Sequence, residues 1–87
     1  MTSAFFSVII PTYNQDVLLQ KAIRSVLEQK FQNFELIIID NFSDDKTEEI
    51  ITHFNSKKII YKKNANFGII GKSRNLGIKL SNGKWIA

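Results

Sequence analysis

Runs of large aliphatic residues alternate along this chain with stretches of helical period. Glu35-Leu36-Ile37-Ile38-Ile39-Asp40 carries four consecutive aliphatics before a carboxylate. A continuous apolar run bounded by turn formers suits a strand covered on both faces, as in a parallel α/β sheet. Phe6-Ser7-Val8-Ile9-Ile10 reads as an earlier strand of the same kind. Pro11 should close it, because proline holds its predecessor extended and removes a ladder donor. Between the two strands, Leu18, Leu19, Ala22, Ile23, Val26 and Leu27 recur at three- and four-residue spacing, which predicts an amphipathic helix over Val17 to Gln29. Asn14 is its expected N-cap, and Asp16 suits the positive end of the helix dipole.

The second half repeats the pattern. Phe31 to Phe34 turn into the second strand, and Asp45-Lys46-Thr47-Glu48 has the spacing of a capping box. It should open a second helix reaching about Asn55, with Ile50, Ile51 and Phe54 as its apolar stripe. Lys58 to Tyr61 predicts a short third strand, Asn64 to Gly68 a loop, and Ile70 to Leu80 a third helix ended by Ser81-Asn82-Gly83. Lys84-Trp85-Ile86-Ala87 begins a fourth strand. The order β-α-β-α-β-α-β with short links predicts an α/β fold, a three-layer α/β/α arrangement with a mainly parallel sheet and right-handed crossovers. The expected strand order is 3-2-1-4. The fourth strand has barely started, so residues 1–87 read as the amino-terminal part of an incomplete domain, truncated at that strand.

Composition narrows the class. Eighty-seven residues make at most one small domain. With 44% hydrophobic and 23% charged residues, the chain is of globular and not disordered type. It has no cysteine, which rules out disulfides and thiolate metal sites and fits a reducing cytosol. Ala4-Phe5-Phe6 and Val8-Ile9-Ile10 are far too short to span a bilayer, and no basic segment of a signal peptide precedes them. Net charge is +4, with lysines gathered in the second half, from Lys57 and Lys58 to Lys84. Attraction to phosphates or anionic lipid follows from that excess, although most of these lysines read as solvated surface.

Chemistry is expected on the loops that follow the strands: Pro11 to Asn14, Asn41 to Asp45, and Asn64 to Gly71. In the order 3-2-1-4 the crevice between the first and fourth strands is a topological switch point, where open α/β sheets bind ligands. Tyr13 and Asp40 should meet at that edge, a ring to stack on a heterocycle and a carboxylate to accept from a ring N–H. Arg74 adds a forked donor for base oxygens or phosphates. Each has a structural alternative: Asp40 as a cap, Tyr13 as a helix cover, Arg74 as surface charge, Asn66 and Gly68 as turn residues. Gly71-Lys72-Ser73 suggests a phosphate loop, but that pattern needs a glycine where Asn66 stands. His53 has no partner at metal spacing and reads as a surface residue.

In order along the chain, Ser7-Val8-Ile9-Ile10-Pro11-Thr12-Tyr13-Asn14, Ser25-Val26-Leu27-Glu28-Gln29, Phe34 to Asp44, Asn66-Phe67-Gly68, Ser73-Arg74-Asn75-Leu76-Gly77 and Gly83 to Ala87 resemble the amino-terminal half of a family 2 glycosyltransferase domain of the GT-A fold, which is Rossmann-like. The resemblance implies a transferase part that binds a nucleotide-diphosphate sugar, most often a UDP-sugar. The parent would be an inverting enzyme passing the sugar to an acceptor hydroxyl in polysaccharide or glycoconjugate synthesis. Pro11, Thr12, Tyr13 and Asn14 match the base-holding loop, Asp40 the acid that contacts uracil, and Asn41, Asn66 and Arg74 neighbouring nucleotide contacts. Asn41 stands where a second aspartate is frequent and Phe42 where glycine is usual, so the loop after the second strand should take a different path.

By the same resemblance, the full-length parent would use a divalent metal, Mn or Mg, on an element beyond Ala87. This chain would therefore bind no metal and hold no catalytic residue, and it would be inactive alone. Implied partners are the UDP-sugar and an acceptor glycan or lipid-linked glycan, with no nucleic acid; self-association through the incomplete sheet edge is a further expectation. The implied location is cytoplasmic, peripheral to the inner face of the membrane. Two other readings remain: a non-catalytic α/β binding or assembly module, and a phosphate-loop nucleotide binder.

Overall fold

The computed structural model describes residues 6–83 and 85–87. Residues Ala4 and Phe5 of the first apolar run, and Lys84 at the expected start of the last strand, lie outside them. The elements are β1 (Phe6–Thr12), α1 (Asp16–Leu27), β2 (Phe34–Asp40), α2 (Thr47–Phe54), β3 (Ile59–Lys63), α3 (Ile70–Leu80) and β4 (Trp85–Ile86). All strand pairs are parallel and the order is β3-β2-β1-β4, as the alternation of elements predicts.

β2 is the axis of the sheet. Leu36 to Ile39 are fully buried, because the alternating side chains meet a helical layer on each face. Leu36 and Ile38 join Leu19 and Ile23 of α1 and Ile51 of α2 in one core, with Val8, Ile10, Ile59 and Tyr61 packed around it. α3 covers the other face, where a Cβ placed on Gly77 would come within 2.5 Å of Ile9 Cγ2. The predicted stripe of α1 is rotated from expectation: Leu18 and Val17 are exposed, and Leu19 and Ile23 carry the burial.

β1 does not stop at Pro11. It continues to Thr12, paired with Asp40. Ile9 N–H donates to Ala87 and Ala87 N–H to Ser7, so odd positions of β1 face β4; Asn41 N–H donates to Thr12, so even positions face β2. Pro11 is an odd position on the side where β4 pairs only with Phe6 and Ser7. Its missing N–H therefore interrupts no rung among the described residues.

The helix starts also differ from the sequence expectation. Gln15, not Asn14, occupies the N-cap of α1. Asn14 takes a left-handed φ of 48° and turns its side chain to the β2–α2 loop. At α2 the reciprocal capping box is absent. Asp45 Oδ1 accepts from Thr47 N at 3.0 Å and Thr47 Oγ1 at 2.5 Å, while Glu48 pairs with Lys63 at 2.6 Å.

Candidate nucleotide site at the carboxyl edge

Three loops meet at the carboxyl edge of the sheet and are stitched by side chains. Asn14 N–H donates to Ser43 Oγ at 2.8 Å, and Asn14 Oδ1 accepts from Asp44 N–H at 2.9 Å. Asp16 N–H donates to Asp45 Oδ2 at 3.1 Å, and Lys46 N–H to Asp16 Oδ2 at 3.3 Å. These four bonds join the β1–α1 and β2–α2 loops. Asn41 Oδ1 then accepts from Asn66 N–H at 2.9 Å, which ties in the β3–α3 loop. Asparagine and aspartate are suited to this work because their short polar side chains reach backbone groups a few ångströms away.

Phe42 sits in backbone geometry that glycine adopts freely. Its φ is +52°, a left-handed value that a bulky residue resists. The Asn41 and Ser43 bonds on either side of it hold the loop in place.

Between the end of β1 and the start of α3 lies a cavity of about 230 Å³, lined by Pro11, Thr12, Tyr13, Gln15, Asn66 and Ile70. Tyr13 is 54% exposed, so its ring is available for stacking. Asn66 is 5% exposed. Its Oδ1 accepts from Gly68 N–H at 2.9 Å and its Nδ2 donates to Ser73 Oγ at 3.0 Å, leaving one N–H and one lone pair of the amide. Ser73 is fully buried in that bond, which removes the hydroxyl a phosphate loop would use. Gln15 and Ile70 line the cavity without having been singled out from sequence, where they are simply a loop polar residue and a helix-start aliphatic.

Asp40 shares this sheet edge with Tyr13 but is not among the residues lining the cavity. It is 1% exposed. Oδ1 accepts from Ser43 N–H at 2.9 Å and Ser43 Oγ at 2.6 Å, and Oδ2 accepts from Tyr61 O–H at 2.5 Å. A carboxylate has about four acceptor positions, so one remains. Burial pushes the Tyr61 phenol well above its ordinary range, and the bond to Asp40 together with its charge pushes it further.

Arg74 stands apart. It is exposed and borders a different cavity of about 270 Å³, with Ile9, Ile78, Ile86 and Ala87. Of the residues expected to contact a nucleotide, the structure thus brings Pro11, Thr12, Tyr13 and Asn66 onto one cavity, uses Asn14, Asp40 and Asn41 to hold its loops, and places Arg74 elsewhere. Among the described residues no group of three or more His, Cys, Asp or Glu could hold a metal ion. The divalent metal expected of the longer parent does not fit the residues described. No described helix is long and apolar enough to cross a membrane.

A family model described as glycosyl transferase family 2 matches residues 7–87. This chain belongs to glycosyl transferase family 2. It is 38% identical over 86 residues to the minor teichoic acid biosynthesis protein GgaB of Bacillus subtilis, a match covering 93% of this chain and 9% of that protein. The crystal structure of residues 1–349 of TarS from Staphylococcus aureus in complex with UDP-GlcNAc superposes with a TM-score of 0.86 and 32% identity, covering 93% of this chain and 24% of that one. The mannosyltransferase PcManGT from Pyrobaculum calidifontis, in complex with GDP-Man and Mn2+, shares the fold at a TM-score of 0.82 and 18% identity, over 99% of this chain and 27% of that one. The chain spans 9% of the length of GgaB and 29% of that of the glycosyltransferase GlyG of Streptococcus pneumoniae, to which it is 31% identical. The four-stranded parallel sheet is thus the amino-terminal portion of a GT-A architecture.

Proposed function

We propose that this chain is the donor-nucleotide-binding part of an inverting glycosyltransferase that uses a UDP-sugar and acts in polysaccharide or glycoconjugate synthesis. The observation that carries the reading is the cavity at the switch point, where Tyr13 offers a ring, Thr12 and Asn66 offer polar groups and Pro11 and Ile70 offer apolar walls. A pyrimidine needs that combination: a flat apolar surface for its face and few, fixed hydrogen-bonding groups for its edge. Asp40 is sealed from the cavity and acts through its bonds to Ser43 and Tyr61, which hold the loop after β2 beside the base. Relatives named as a minor teichoic acid biosynthesis protein and a poly(ribitol-phosphate) β-N-acetylglucosaminyltransferase support an acceptor hydroxyl on a cell-surface polymer.

Transfer by the 87-residue chain alone is not expected, since stabilising a departing diphosphate requires cationic or metal groups aimed at it. The decisive measurement is a titration of the chain with UDP, followed by amide chemical shifts, with and without manganese. The expected result is weak binding that manganese leaves unchanged and that Asp40→Ala abolishes while the variant remains folded. No UDP binding would leave the assembly-module reading, and preference for ATP with magnesium would favour a phosphate-loop binder. Measurable sugar transfer by the isolated chain would overturn the expectation of inactivity.

A further inference from the structure

Charge is unevenly divided along this chain. Every aspartate and glutamate lies at or before Glu49, whereas eight of the twelve lysines and arginines follow it. The fold turns that division into one across the sheet. α1 and α2 carry acidic side chains and pack on the face that holds Leu36 and Ile38. α3 lies on the other face, against Ile9, and carries Lys72, Arg74 and Lys79 with no acidic residue.

Lys72, Asn75, Leu76 and Lys79 are spaced by three, four and seven residues, so they share one side of α3. Together with Asn64 and Ala65, which follow β3, they line a cavity of about 310 Å³. Ile70 lines the nucleotide cavity instead, and a step of two residues turns a helix by about 200°, so the two cavities flank the start of α3. β3 is the outer strand of the sheet, which places the second cavity on the side away from β4. Asn64 is held there by its N–H bond to Asp40 C=O at 2.8 Å.

The fold does not neutralise these cations. Lys63 is paired with Glu48, but among the described residues neither Lys72 nor Lys79 has an ion-pair partner. Lys72 Nζ lies 5.4 Å from the centroid of the Phe67 ring, a contact that leaves its charge in place. Two ammonium groups on one side of a helix, with no carboxylate between them, raise the local potential for an anion.

We infer that this cavity binds a linear phosphate chain, a polyphosphate or a phosphodiester. Seven residues of helix separate Lys72 from Lys79 by about 10 Å, a spacing suited to successive phosphates of one chain. Lysine meets phosphate as a point charge and so accepts the varied geometry of a flexible chain. Asn64 and Asn75 add amide donors beside the two cations. No aromatic ring lines the cavity, so the bases of a nucleic acid would have no surface to stack on. A recess of this kind also suits a chain better than the flat surface of an anionic membrane. The inference is independent of the nucleotide reading, since the two cavities share no lining residue.

The probe is inorganic tripolyphosphate, added to the isotope-labelled whole chain and followed by amide chemical shifts. Shifts should concentrate at Asn64, Ala65, Asn75 and Leu76, persist in excess UDP and weaken as salt is raised. Lys72→Gln and Lys79→Gln should each lower the affinity roughly 2- to 5-fold. Lys57→Gln removes the same charge at the opposite end of β3 and should leave the affinity nearly unchanged. All three side chains are exposed, so the variants should melt with the wild type. Equal losses in the three variants overturn the inference, because the overall charge is then what attracts the anion. Shifts confined to Tyr13 and Asn66 and abolished by UDP overturn it as well, since the anion then occupies only the nucleotide cavity. An unchanged spectrum with tripolyphosphate overturns it outright. In that event, binding to phosphatidylglycerol vesicles or to oligothymidylate that needs Lys72 and Lys79 would assign the surface to a membrane or a nucleic acid. Failure of the wild-type chain to bind UDP overturns the nucleotide reading alone, and the tripolyphosphate shifts then decide this one by themselves.

Discussion

Ser7 is fully buried near the amino end of β1, and its hydroxyl joins two parts of the chain far apart in sequence. It donates to Glu35 Oε2 at 2.5 Å and accepts from Gly83 N–H at 2.8 Å. Glu35 Oε2 also accepts from Asn82 N–H at 2.5 Å. Ser7→Ala should destabilise the chain by about 1–3 kcal/mol, because a buried N–H and a carboxylate each lose a partner; chemical denaturation measures it. Glu35 has its pKa held below the ordinary value: burial raises it, but the bonds from Ser7, Asn82 and Gly83 together lower it more. A depressed carboxylate contributes stability above its unfolded value, about 4.3, and loses that contribution as pH falls through the lower folded value. Denaturation midpoints measured from pH 7 to 3 should therefore fall on the acid side, with a shallower fall in Glu35→Gln. An unchanged acid limb in that variant would remove Glu35 from the account. At this scale the sequence was least legible. Asp40 stood out as a carboxylate at a strand end, but its phenolic partner lies 21 residues away, and only the pairing of Ile38 with Tyr61 brings the two together.

Helix α3 meets the sheet through glycine. A Cβ on Gly77 would approach Ile9 Cγ2 at 2.5 Å, which the isoleucine relieves only by leaving its χ1 rotamer, while alanine would add about 1 kcal/mol of helix propensity. Gly83 is different: its Cβ would meet the backbone N of Ser7 at 2.6 Å and the carbonyl carbon of Phe6 at 2.7 Å, which cannot move without opening β1. Gly83→Ala should therefore cost more than Gly77→Ala, on the order of 1–3 kcal/mol or above. The reverse order in thermal melts would refute the packing argument. The elements themselves were legible because periodicity reports burial directly, as the unbroken aliphatics of β2 and the spacing of Leu19 and Ile23 in α1 show. The ends were not. Pro11 looked like a stop until the side of the ladder it faces was known, and the capping pattern at Asp45 to Glu48 gave way to a tertiary ion pair with Lys63.

For the molecule as a whole, Asn41 is the residue through which the β3–α3 loop is tied to the other two. Asn41→Ala should free Asn66 N–H, speed its hydrogen exchange and weaken UDP binding, with little change in melting temperature; Asn41→Asp keeps the acceptor and should preserve both. Slow exchange at Asn66 in the alanine variant would show that the loops are held by something else. All these ties lie at the carboxyl edge, whereas the Ser7, Glu35 and Gly83 contacts hold the amino edge. A parallel sheet separates the two by the full length of its strands. Substitutions that retune ligand choice and substitutions that threaten folding consequently fall at opposite poles of the open sheet, and a lineage can explore new ligands at one pole without unlacing the other.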